Sequence, residues 1–578
     1  MLTRRRVISS LVVLLFLGAA FVAYQSWQVQ RDLTKAESSV DDLVSAVNDA
    51  DKAAQDRAIG DFQEAASSAH DRTDGPLWSV LTKVPILGDD ADGVRSVSAS
   101  LQVLAEDGVD PLSDSLQALD GLSSDGRIDV DVVRELQDPV AEANVAFASA
   151  VDEVAGLDSR DYVGAFRSRF DDYVNRVEEA SDALASAETA TKALPDMVGA
   201  DGPRDYLLLF QNNAEIRATG GMPGSWALIH ADNGRLSMAK QGVAGDFPMS
   251  EQPVVPLSEG EVKVYGKEIG TYFQDPGFTP DFPRAAEIWG AHWQRRFPAT
   301  QIDGVLALDP VGMSYMLEGT GPVVTGDTTL TADNVVEELL NKPYLTLEPP
   351  AQDALFQDVA RAVFDAATGD LESPEELVSG LARAAKENRF LVAPFVESDA
   401  ARLKDSAVLG ALPEDDGDTP YVDIGLNDVT GSKMSYYLRY WADVEARSCA
   451  DDTQKLAGTM SLSQSIAPGA AAELPDSVTG GGNYGTDPGS QLVAVRIYGP
   501  HDGTIDGLKI DGKTEAPLTV TKLDGRPVVT LAIILETRDD VVLSWDMTSG
   551  EGQHGAGHLG VTPSVVSGAR DQTFPSAC

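Results

Sequence analysis

Three hydrophobic patterns follow one another along the chain. Over 28–198, apolar residues recur at helical spacing with polar residues on the other face, which predicts a helical region. The heptads are not sustained, so a bundle is favoured over a coiled coil. Over 203–395, short apolar strands alternate with helical segments, as in an α/β domain. Over 419–578, strand-like runs between turn residues predict a β-rich, sandwich-like domain.

The N-terminal pattern differs from these three. Residues 1–6 hold three consecutive arginines, and 7–27 are predominantly apolar and just long enough to span a bilayer. Positive charge before such a run predicts a cytoplasmic basic tail, a single-pass transmembrane anchor and an extracytoplasmic bulk at the cell membrane. A cleaved signal peptide with a site near 18–20 is the alternative. The predicted fold class is a multidomain α+β protein with an N-terminal transmembrane helix and a membrane-proximal helical region.

A cluster of polar residues in the α/β region directly follows a buried strand. Residues 206–210 form a continuous apolar run, and Asn212, Asn213, Glu215 and Arg217 come after it. Binding sites in α/β sheets usually lie where strands end, so these side chains are candidate ligand-binding residues. The alternative is that they only cap turns and satisfy backbone groups, which explains the arginine least well.

Two later helices of the same region have clear start signals. Pro283 opens the first, which carries Trp289 and Trp293 at helical spacing, a pattern more typical of a core than of a ligand site. Asp309 stands before Pro310 at the start of the second and is a predicted N-cap. Strand, cap and helix together indicate a compact β-α unit.

Composition narrows the function classes. The formal net charge is −47 over 578 residues, so a nucleic-acid partner is disfavoured. Cys449 and Cys578 are the only cysteines, and in an oxidising compartment they are candidates for a disulfide. The polar segment 242–281, rich in proline and glycine, favours a functional loop in which Asp246 faces either a ligand or solvent. The motifs of hydrolases and NTP-dependent enzymes are not visible.

Three segments carry a resemblance to a known family. They are LLLFQNNAEIRATGGMPGSWALI, PRAAEIWGAHWQRRFP and IDGVLALDPVGMSYMLEGTGPV. They resemble the bacterial domain of unknown function 4012 family over at least 78–428, where the segment WSVLTKVPILG also matches. The label of this family implies no activity.

A more distant resemblance is to the LytR-CpsA-Psr family. Its members are membrane-anchored extracytoplasmic α/β proteins that transfer glycopolymers from a polyprenyl-pyrophosphate lipid to peptidoglycan. YLLLF is similar to the family's first strand, and Arg217 to an arginine before the second strand. LALDPVGMSYMLEGTGPV, which contains Asp309, is similar to a later strand, aspartate, helix and glycine motif. Arg361 in QDVARAVFDA is similar to a late arginine.

This resemblance implies a Mg²⁺-dependent phosphotransferase site. Glu215 and Asp246 would place Mg²⁺, arginines would hold the phosphate oxygens, and a pocket near Trp289 and Trp293 would take the lipid. The implied catalytic residues are Arg217, Glu215 and Asp246, and the implied ligand-binding residues are Asn212, Asn213, Arg284, Asp309 and Arg361. The sequence departs from the family where Ala218-Thr219-Gly220 replaces Ser-Asp-Thr and where an arginine before Asp246 is missing.

Two hypotheses of function follow. The first is a membrane-anchored, extracytoplasmic cell-envelope protein that binds an envelope glycopolymer or a protein without catalysis. The alternative is a transferase that acts on polyprenyl-pyrophosphate-linked glycopolymer and attaches it to the cell wall. The departures from the LytR-CpsA-Psr pattern favour the first, and the concentration of polar residues after one strand favours the second.

Overall fold

The chain folds into two compact units. A computed structural model describes residues 24–578, except 44, 47–50, 86–87, 120, 125, 370, 405, 468, 484, 515–518, 537–539 and 569–570. The first unit comprises the described residues of Met1–Asp120 and Asp131–Lys192. The second comprises those of Gly121–Val130 and Ala193–Cys578.

The first unit is helical. Small residues let its helices approach closely, since Ala66, Ala143 and Ala150 are fully buried. Tyr162 and Phe170 add an edge-to-face aromatic contact. The helices in this part of the chain are α1 (24–43), α2 (Lys52–Thr73), α3 (Pro76–Leu81), α4 (Gly88–Val103), α5 (Val109–Leu119), α6 (Val130–Glu135), α7 (Gln137–Asp152) and α8 (Gly164–Met197).

The structure corrects the predicted fold class in one respect. The sequence predicts a transmembrane helix at 7–27, but no helix in the described part of the chain is both long and apolar enough to cross a membrane. Residues 7–23 of that prediction lie outside the described residues. The described part of that prediction, 24–27, belongs to α1 (24–43), which carries charged side chains including Arg31, Asp32 and Lys35. The fold supported by the structure is mixed α/β with several sheets.

The second unit contains a seven-stranded sheet. Its strands are β1 (Ser123–Ser124), β2 (Arg127–Ile128), β3 (Arg204–Arg217), β4 (Gly220–Asp232), β5 (Arg235–Val243), β6 (Gly304–Leu308) and β9 (Phe390–Pro394), while β7 (Val323–Thr325) and β8 (Thr328–Leu330) form a separate hairpin. The strand order is β1-β2-β5-β4-β3-β6-β9. β3 is antiparallel to β4 and parallel to β6, so it lies inside the sheet.

Helices cover both faces of this sheet. Leu207 and Leu209 of β3 belong to the hydrophobic core on one face, and Tyr206 and Leu208 belong to the core on the other. This explains why β3 is apolar without alternation. The helices of the unit are α9 (Glu259–Tyr265), α10 (Glu268–Thr271), α11 (Phe282–Arg296), α12 (Pro310–Thr320), α13 (Val335–Leu340), α14 (Lys342–Thr346), α15 (Pro349–Thr368), α16 (Pro374–Lys386), α17 (Glu397–Leu403) and α18 (Asp476–Thr479).

The same unit contains a β-sandwich. Its strands are β10 (Tyr421–Asp428), β11 (Leu438–Ala450), β12 (Thr453–Gln464), β13 (Gln491–Tyr498), β14 (Thr504–Ile510), β15 (Lys513–Thr514), β16 (Val520–Leu523), β17 (Arg526–Leu535), β18 (Val541–Thr548), β19 (Gly557–Val561) and β20 (Gln572–Phe574). One sheet has the order β16-β17-β13-β10-β19-β20 and the other β11-β12-β18-β14-β15. Their inner faces share one hydrophobic core, which is the arrangement of a sandwich.

The end of β3 connects the α/β sheet to the sandwich. Ile216 is part of the sandwich core, and its backbone N–H donates to Ser435 Oγ at 3.3 Å. The backbone N–H of Ala218 donates to Asn427 Oδ1 at 3.1 Å. Near the C-terminal end of β11, a disulfide joins Cys449 to Cys578, with the two Cα atoms 4.9 Å apart.

Candidate functional site

The predicted polar cluster lies at an irregular end of β3. The pairing with β4 shifts register between Asn212 and Ile216, which leaves the intervening residues out of the regular ladder. The backbone of Gly221 passes so close to Asn212 that a Cβ there would lie 2.3 Å from the asparagine carbonyl carbon. A glycine is therefore required at this position, and the polar side chains turn toward neighbouring elements of the protein.

Asn212 and Glu215 bind each other and two residues from later in the chain. Asn212 Nδ2 donates to Glu215 Oε2 at 2.9 Å and to the Tyr344 hydroxyl at 2.8 Å, and Asn212 Oδ1 accepts from the backbone N–H of Ala214. Glu215 Oε1 forms an ion pair with Lys433 Nζ at 3.3 Å. The ammonium of Lys433 also lies 4.7 Å from the centre of the Tyr344 ring. Glu215 therefore has its charge neutralised inside the protein.

Asn213 belongs to a fully buried ionic network. Its Nδ2 donates to Asp309 Oδ2 at 2.8 Å, and Asp309 Oδ1 caps α12 by accepting from the backbone N–H of Gly312. Arg389 Nη1 donates to Asp309 Oδ2 at 3.0 Å, and Arg389 Nε donates to Glu387 Oε2 at 2.7 Å. The Asp309 and Arg389 side chains are both 0% exposed. These side chains therefore hold elements together and are not open to a ligand.

Arg389 also binds the C-terminal segment of the chain. Its Nη1 donates to the carbonyl of Ser564 at 2.8 Å, and its Nη2 donates to the carbonyl of Val566 at 2.7 Å. Sequence analysis did not identify this arginine, which directly precedes β9. Its position shows that the network at the end of β3 attaches the α/β sheet to the last part of the sandwich.

Arg217 is also enclosed by the protein. Its Nη1 donates to the carbonyls of Ile216 and Asp428, each at 3.0 Å, and its guanidinium lies 4.9 Å from the centre of the Phe278 ring. Asp275 lies 3.9 Å from Nη2. Burial raises the pKa of Asp275 to about 6, and the nearby arginine opposes this shift. We refer to Asn212, Asn213, Glu215, Arg217, Asp309 and Arg389 together as the polar junction.

The remaining predicted site residues lie away from the polar junction. Asp246 Oδ2 accepts from the backbone N–H of Val243, within a short turn after β5. Arg284 is on α11, whose apolar side chains belong to the core on one face of the sheet. Arg361 is exposed on α15, which packs on the opposite face, and it donates to Gln241. The arginines implied for phosphate binding therefore do not converge on one site.

The implied Mg²⁺ and lipid sites do not fit the residues present. The oxygens of Glu215 are occupied by Lys433 and Asn212, and Asp246 caps a turn. Within the described residues, no group of three or more His, Cys, Asp or Glu is arranged to hold a metal ion. Trp289 and Trp293 are at most 1% exposed in the sheet core, so they do not line an open pocket.

A pocket lies where α9 and α11 meet the turn between β16 and β17. Its volume is about 360 Å³. This is at the small end of the range of roughly 300–1,000 Å³ that is usual for small-molecule sites. The lining residues are mostly polar and come from three parts of the chain: Glu261, Tyr265, Thr279, Asp281 and Arg284; Leu412, Pro413 and Glu414; Leu523, Asp524 and Arg526. We refer to it as the carboxylate pocket.

Both arginines of the carboxylate pocket have internal carboxylate partners. Arg284 Nε donates to Glu261 Oε1 at 2.7 Å, and Arg526 pairs with Asp416 behind the lining. The carboxylates of Asp281, Glu414 and Asp524 have no such ion pair in the described part of the structure. The pocket therefore offers acceptor oxygens to a ligand that carries hydrogen-bond donors.

Asp281 is the most perturbed group in the carboxylate pocket. It stands at the N-cap position of α11, but its side chain makes no capping bond and instead accepts from the backbone N–H of Leu412 at 3.3 Å. Burial raises the pKa of Asp281 to about 7, although the hydrogen bond from Leu412 and the charge of Arg284 oppose this shift; Asp524 and Glu414 add smaller upward contributions. Sequence analysis missed this pocket because its three segments are far apart in the chain.

Part of the α/β region matches a known family model. Residues 201–344 match the family model described as "Protein of unknown function (DUF4012)". This confirms the resemblance to the domain of unknown function 4012 family over that segment, which contains most of the polar junction and the first group of pocket residues. Comparisons with curated proteins and with solved structures found no match.

Proposed function

We propose that the protein is an extracytoplasmic envelope protein that binds a carbohydrate polymer without catalysis. The observation that carries this proposal is the carboxylate pocket, a concavity whose exposed carboxylates Glu414 and Asp524 make no ion pair among the described residues and which the more buried Asp281 also lines. Sugars carry many hydroxyl groups that donate hydrogen bonds. An ionised carboxylate accepts such bonds more strongly than a neutral side chain does. The pocket size suits the end of a chain or a short oligosaccharide.

The packing of the polar junction supports binding rather than phosphoryl transfer. A pyrophosphate needs several cations that converge on its oxygens. Arg217 and Arg389 are engaged by backbone carbonyls and carboxylates inside the protein, while Arg361 lies on the other side of the sheet from Arg284. A transferase would have to open these contacts before it could bind such a substrate.

The proposed compartment rests on the disulfide. Cys449 and Cys578 are bonded across a separation of 129 residues. Structural disulfides persist mainly in oxidising compartments outside the cytoplasm. Such a compartment also contains the envelope polysaccharides that the pocket is proposed to bind.

Calorimetric titration of the full chain with short oligosaccharides from partially hydrolysed cell-wall polysaccharide tests the proposal. The double variant Glu414→Gln/Asp524→Asn removes two acceptor charges at the exposed rim of the pocket. We expect affinity to fall by about tenfold, which corresponds to about 1.4 kcal/mol. Asparagine tolerates the positive φ of 45° at position 524, so folding should be unaffected.

Asp415→Asn provides the matched control. This residue is an exposed neighbour of Glu414 but does not line the pocket. We expect its affinity to equal that of the wild type. No binding of any oligosaccharide to the wild type, or release of product from a polyprenyl-pyrophosphate-linked glycopolymer in the presence of Mg²⁺, would contradict the proposed function.

A further inference from the structure

The outer face of the five-stranded sheet carries an exposed tryptophan. Trp441 on β11 is 53% exposed, while the residues on either side of it, Tyr440 and Ala442, belong to the sandwich core. Its indole has no aromatic or cationic partner in the described part of the structure. A single exposed apolar side chain is common on protein surfaces. Whether Trp441 marks a binding surface therefore depends on the residues around it.

Hydroxyl-bearing residues occupy the strands beside Trp441. The pairing register places Ser461 of β12 opposite Trp441 and Val542 of β18 opposite Ser461, so the three form a row across the sheet. The next row places Thr459 beside Ser544. Within the described residues, the hydroxyls of Thr459, Ser461, Ser463 and Ser544 make no side-chain hydrogen bond. They are therefore available to a ligand that lies across the strands.

The charged residues around Trp441 and its neighbouring hydroxyls carry equal numbers of positive and negative charges. They include four carboxylates and four cations on the outward positions of the same strands: Asp443, Glu445, Asp506 and Asp546 with Arg439, Arg447, Lys455 and Lys509. Several pair with one another, as Arg447 does with Glu445 at 2.8 Å. A balanced patch is unusual in a chain with a net charge of −47. It favours a neutral occupant, because the field of the whole chain repels polyanions.

We propose that the sheet face of Trp441, Thr459, Ser461, Ser463, Ser544 and Val542 binds a neutral polysaccharide chain. The indole would stack on the apolar face of a sugar ring, and the hydroxyls of the neighbouring strands would bond to the sugar hydroxyls. We call this surface the Trp441 face. The inference rests on the proposed function and extends it, since the carboxylate pocket would take a short segment and the Trp441 face a longer part of the polymer.

A flat face contributes little to the binding affinity of a short ligand and more to that of a long one. Each sugar that reaches the face adds contacts to a complex that is already held elsewhere, so affinity grows with chain length. A protein partner fits this surface less well. The core of a protein interface is usually a packed apolar cluster, whereas here Ser461 separates the two exposed apolar residues, Trp441 and Val542.

The test uses neutral and acidic fractions of cell-wall polysaccharide, separated by anion exchange, with the full-length wild type, Trp441→Ala and Trp27→Ala. Trp27 is the matched control because it is 55% exposed but lies in the helical unit. We expect the neutral polymer to bind about tenfold more weakly to Trp441→Ala than to the wild type, the loss expected when one stacked aromatic anchor is removed. Trp27→Ala should bind like the wild type, and all three proteins should unfold at the same temperature.

Fluorescence quenching by acrylamide gives a second readout. In a Trp27→Phe background, Trp441 is the one strongly exposed indole, because the other five tryptophans are at most 3% exposed. Saturation with the neutral polymer should protect Trp441 from the quencher. Full quenching in the presence of bound polymer would show that the polymer lies elsewhere.

The outcomes separate the two proposals. Unchanged polymer affinity in Trp441→Ala, or preference of the wild type for the acidic fraction, would overturn the proposed role of the Trp441 face. Neither result would contradict the proposed role of the carboxylate pocket. If Trp441→Ala loses affinity for the polymer but keeps its affinity for short oligosaccharides, the proposed role of the Trp441 face is supported. A wild type that binds neither polymer nor oligosaccharide would overturn both the Trp441 face and the proposed function.

Discussion

The polar junction and the carboxylate pocket contain similar residues in opposite situations. In the polar junction, Asp309 and Arg389 are fully buried and every charge has a partner within the protein. In the carboxylate pocket, Glu414 and Asp524 are exposed and make no ion pair in the described structure, while Asp281 is partly buried and is influenced by the charge of Arg284 without an ion pair. The comparison teaches that a polar cluster at a strand end becomes a binding site only when its groups are left unpaired and accessible.

The largest expected effect separates the two regions by stability. Arg389→Ala would leave Asp309 buried without its cation and would remove one of the two arginines that bind Glu387, so we expect the free energy of unfolding to fall by about 3–5 kcal/mol. The pocket variant Glu414→Gln/Asp524→Asn should change it by less than about 0.5 kcal/mol, because both side chains are exposed. Urea denaturation measures both. Equal stabilities would remove the distinction between a structural junction and a binding pocket.

The second prediction concerns what holds the C-terminal segment, since both Arg389 and the disulfide engage it. Cys449→Ser/Cys578→Ser removes a link across 129 residues, and we expect a loss of about 2–5 kcal/mol. The same loss should follow reduction of the wild type by dithiothreitol. A wild type whose unfolding midpoint is unaffected by the reductant would show that the polar junction alone fixes this segment.

A third prediction uses two buried carboxyls that, unlike Asp309, form no ion pair with a lysine or arginine among the described residues. Burial raises the pKa of Asp423 to about 8, with a further contribution from Asp571, and burial raises the pKa of Asp571 to about 6. Their ordinary pKa is about 3.9, so the folded state binds more protons than the unfolded state and stability falls as pH rises through about 4–8. We expect Asp423→Asn to reduce this pH dependence by at least about 1 kcal/mol between pH 5 and 8.

Thermal unfolding of the wild type and Asp423→Asn across that pH range measures the difference. Asp506→Asn serves as the control, because this aspartate is exposed on the outer face of the other sheet. Parallel pH profiles for the wild type and Asp423→Asn would mean that the protonation of Asp423 does not cause the pH dependence of stability.

The smallest expected effect lies in the carboxylate pocket. Asp281 loses its proton near pH 7, and a carboxylate accepts a stronger hydrogen bond from a sugar hydroxyl than a neutral carboxyl does. We expect oligosaccharide affinity to rise a few-fold from pH 6 to pH 8, below the roughly tenfold change that 1.4 kcal/mol gives. Asp281→Asn should abolish this rise. An affinity that falls over the same range would show that the neutral acid, acting as a donor, is the binding form.

Local signals in the sequence predict much of the fold around the polar junction. The apolar run of β3 and the N-cap role of Asp309 follow from neighbouring residues alone. The family resemblance also depends on contiguous segments and is confirmed over 201–344. By contrast, the transmembrane part of the predicted fold class is wrong for the described residues.

The fate of the polar side chains could not be predicted from the sequence. Asn212 meets Tyr344 across 132 residues, and the backbone of Ile216 meets Ser435 across 219. Whether a polar residue at a strand end is covered therefore depends on which distant segments fold onto it. The carboxylate pocket escaped prediction for the same reason, because Asp281, Glu414 and Asp524 gain meaning only when three segments come together.

The most direct test of the central claim is the oligosaccharide affinity of Arg217→Ala, measured by calorimetry below its unfolding temperature. Arg217 is the residue of the polar junction that the sequence most strongly indicates as functional, yet its guanidinium binds backbone carbonyls. We predict lower stability but an affinity within about twofold of the wild type, while the pocket variant loses about tenfold. Loss of binding in folded Arg217→Ala, with an unaffected pocket variant, would contradict the account.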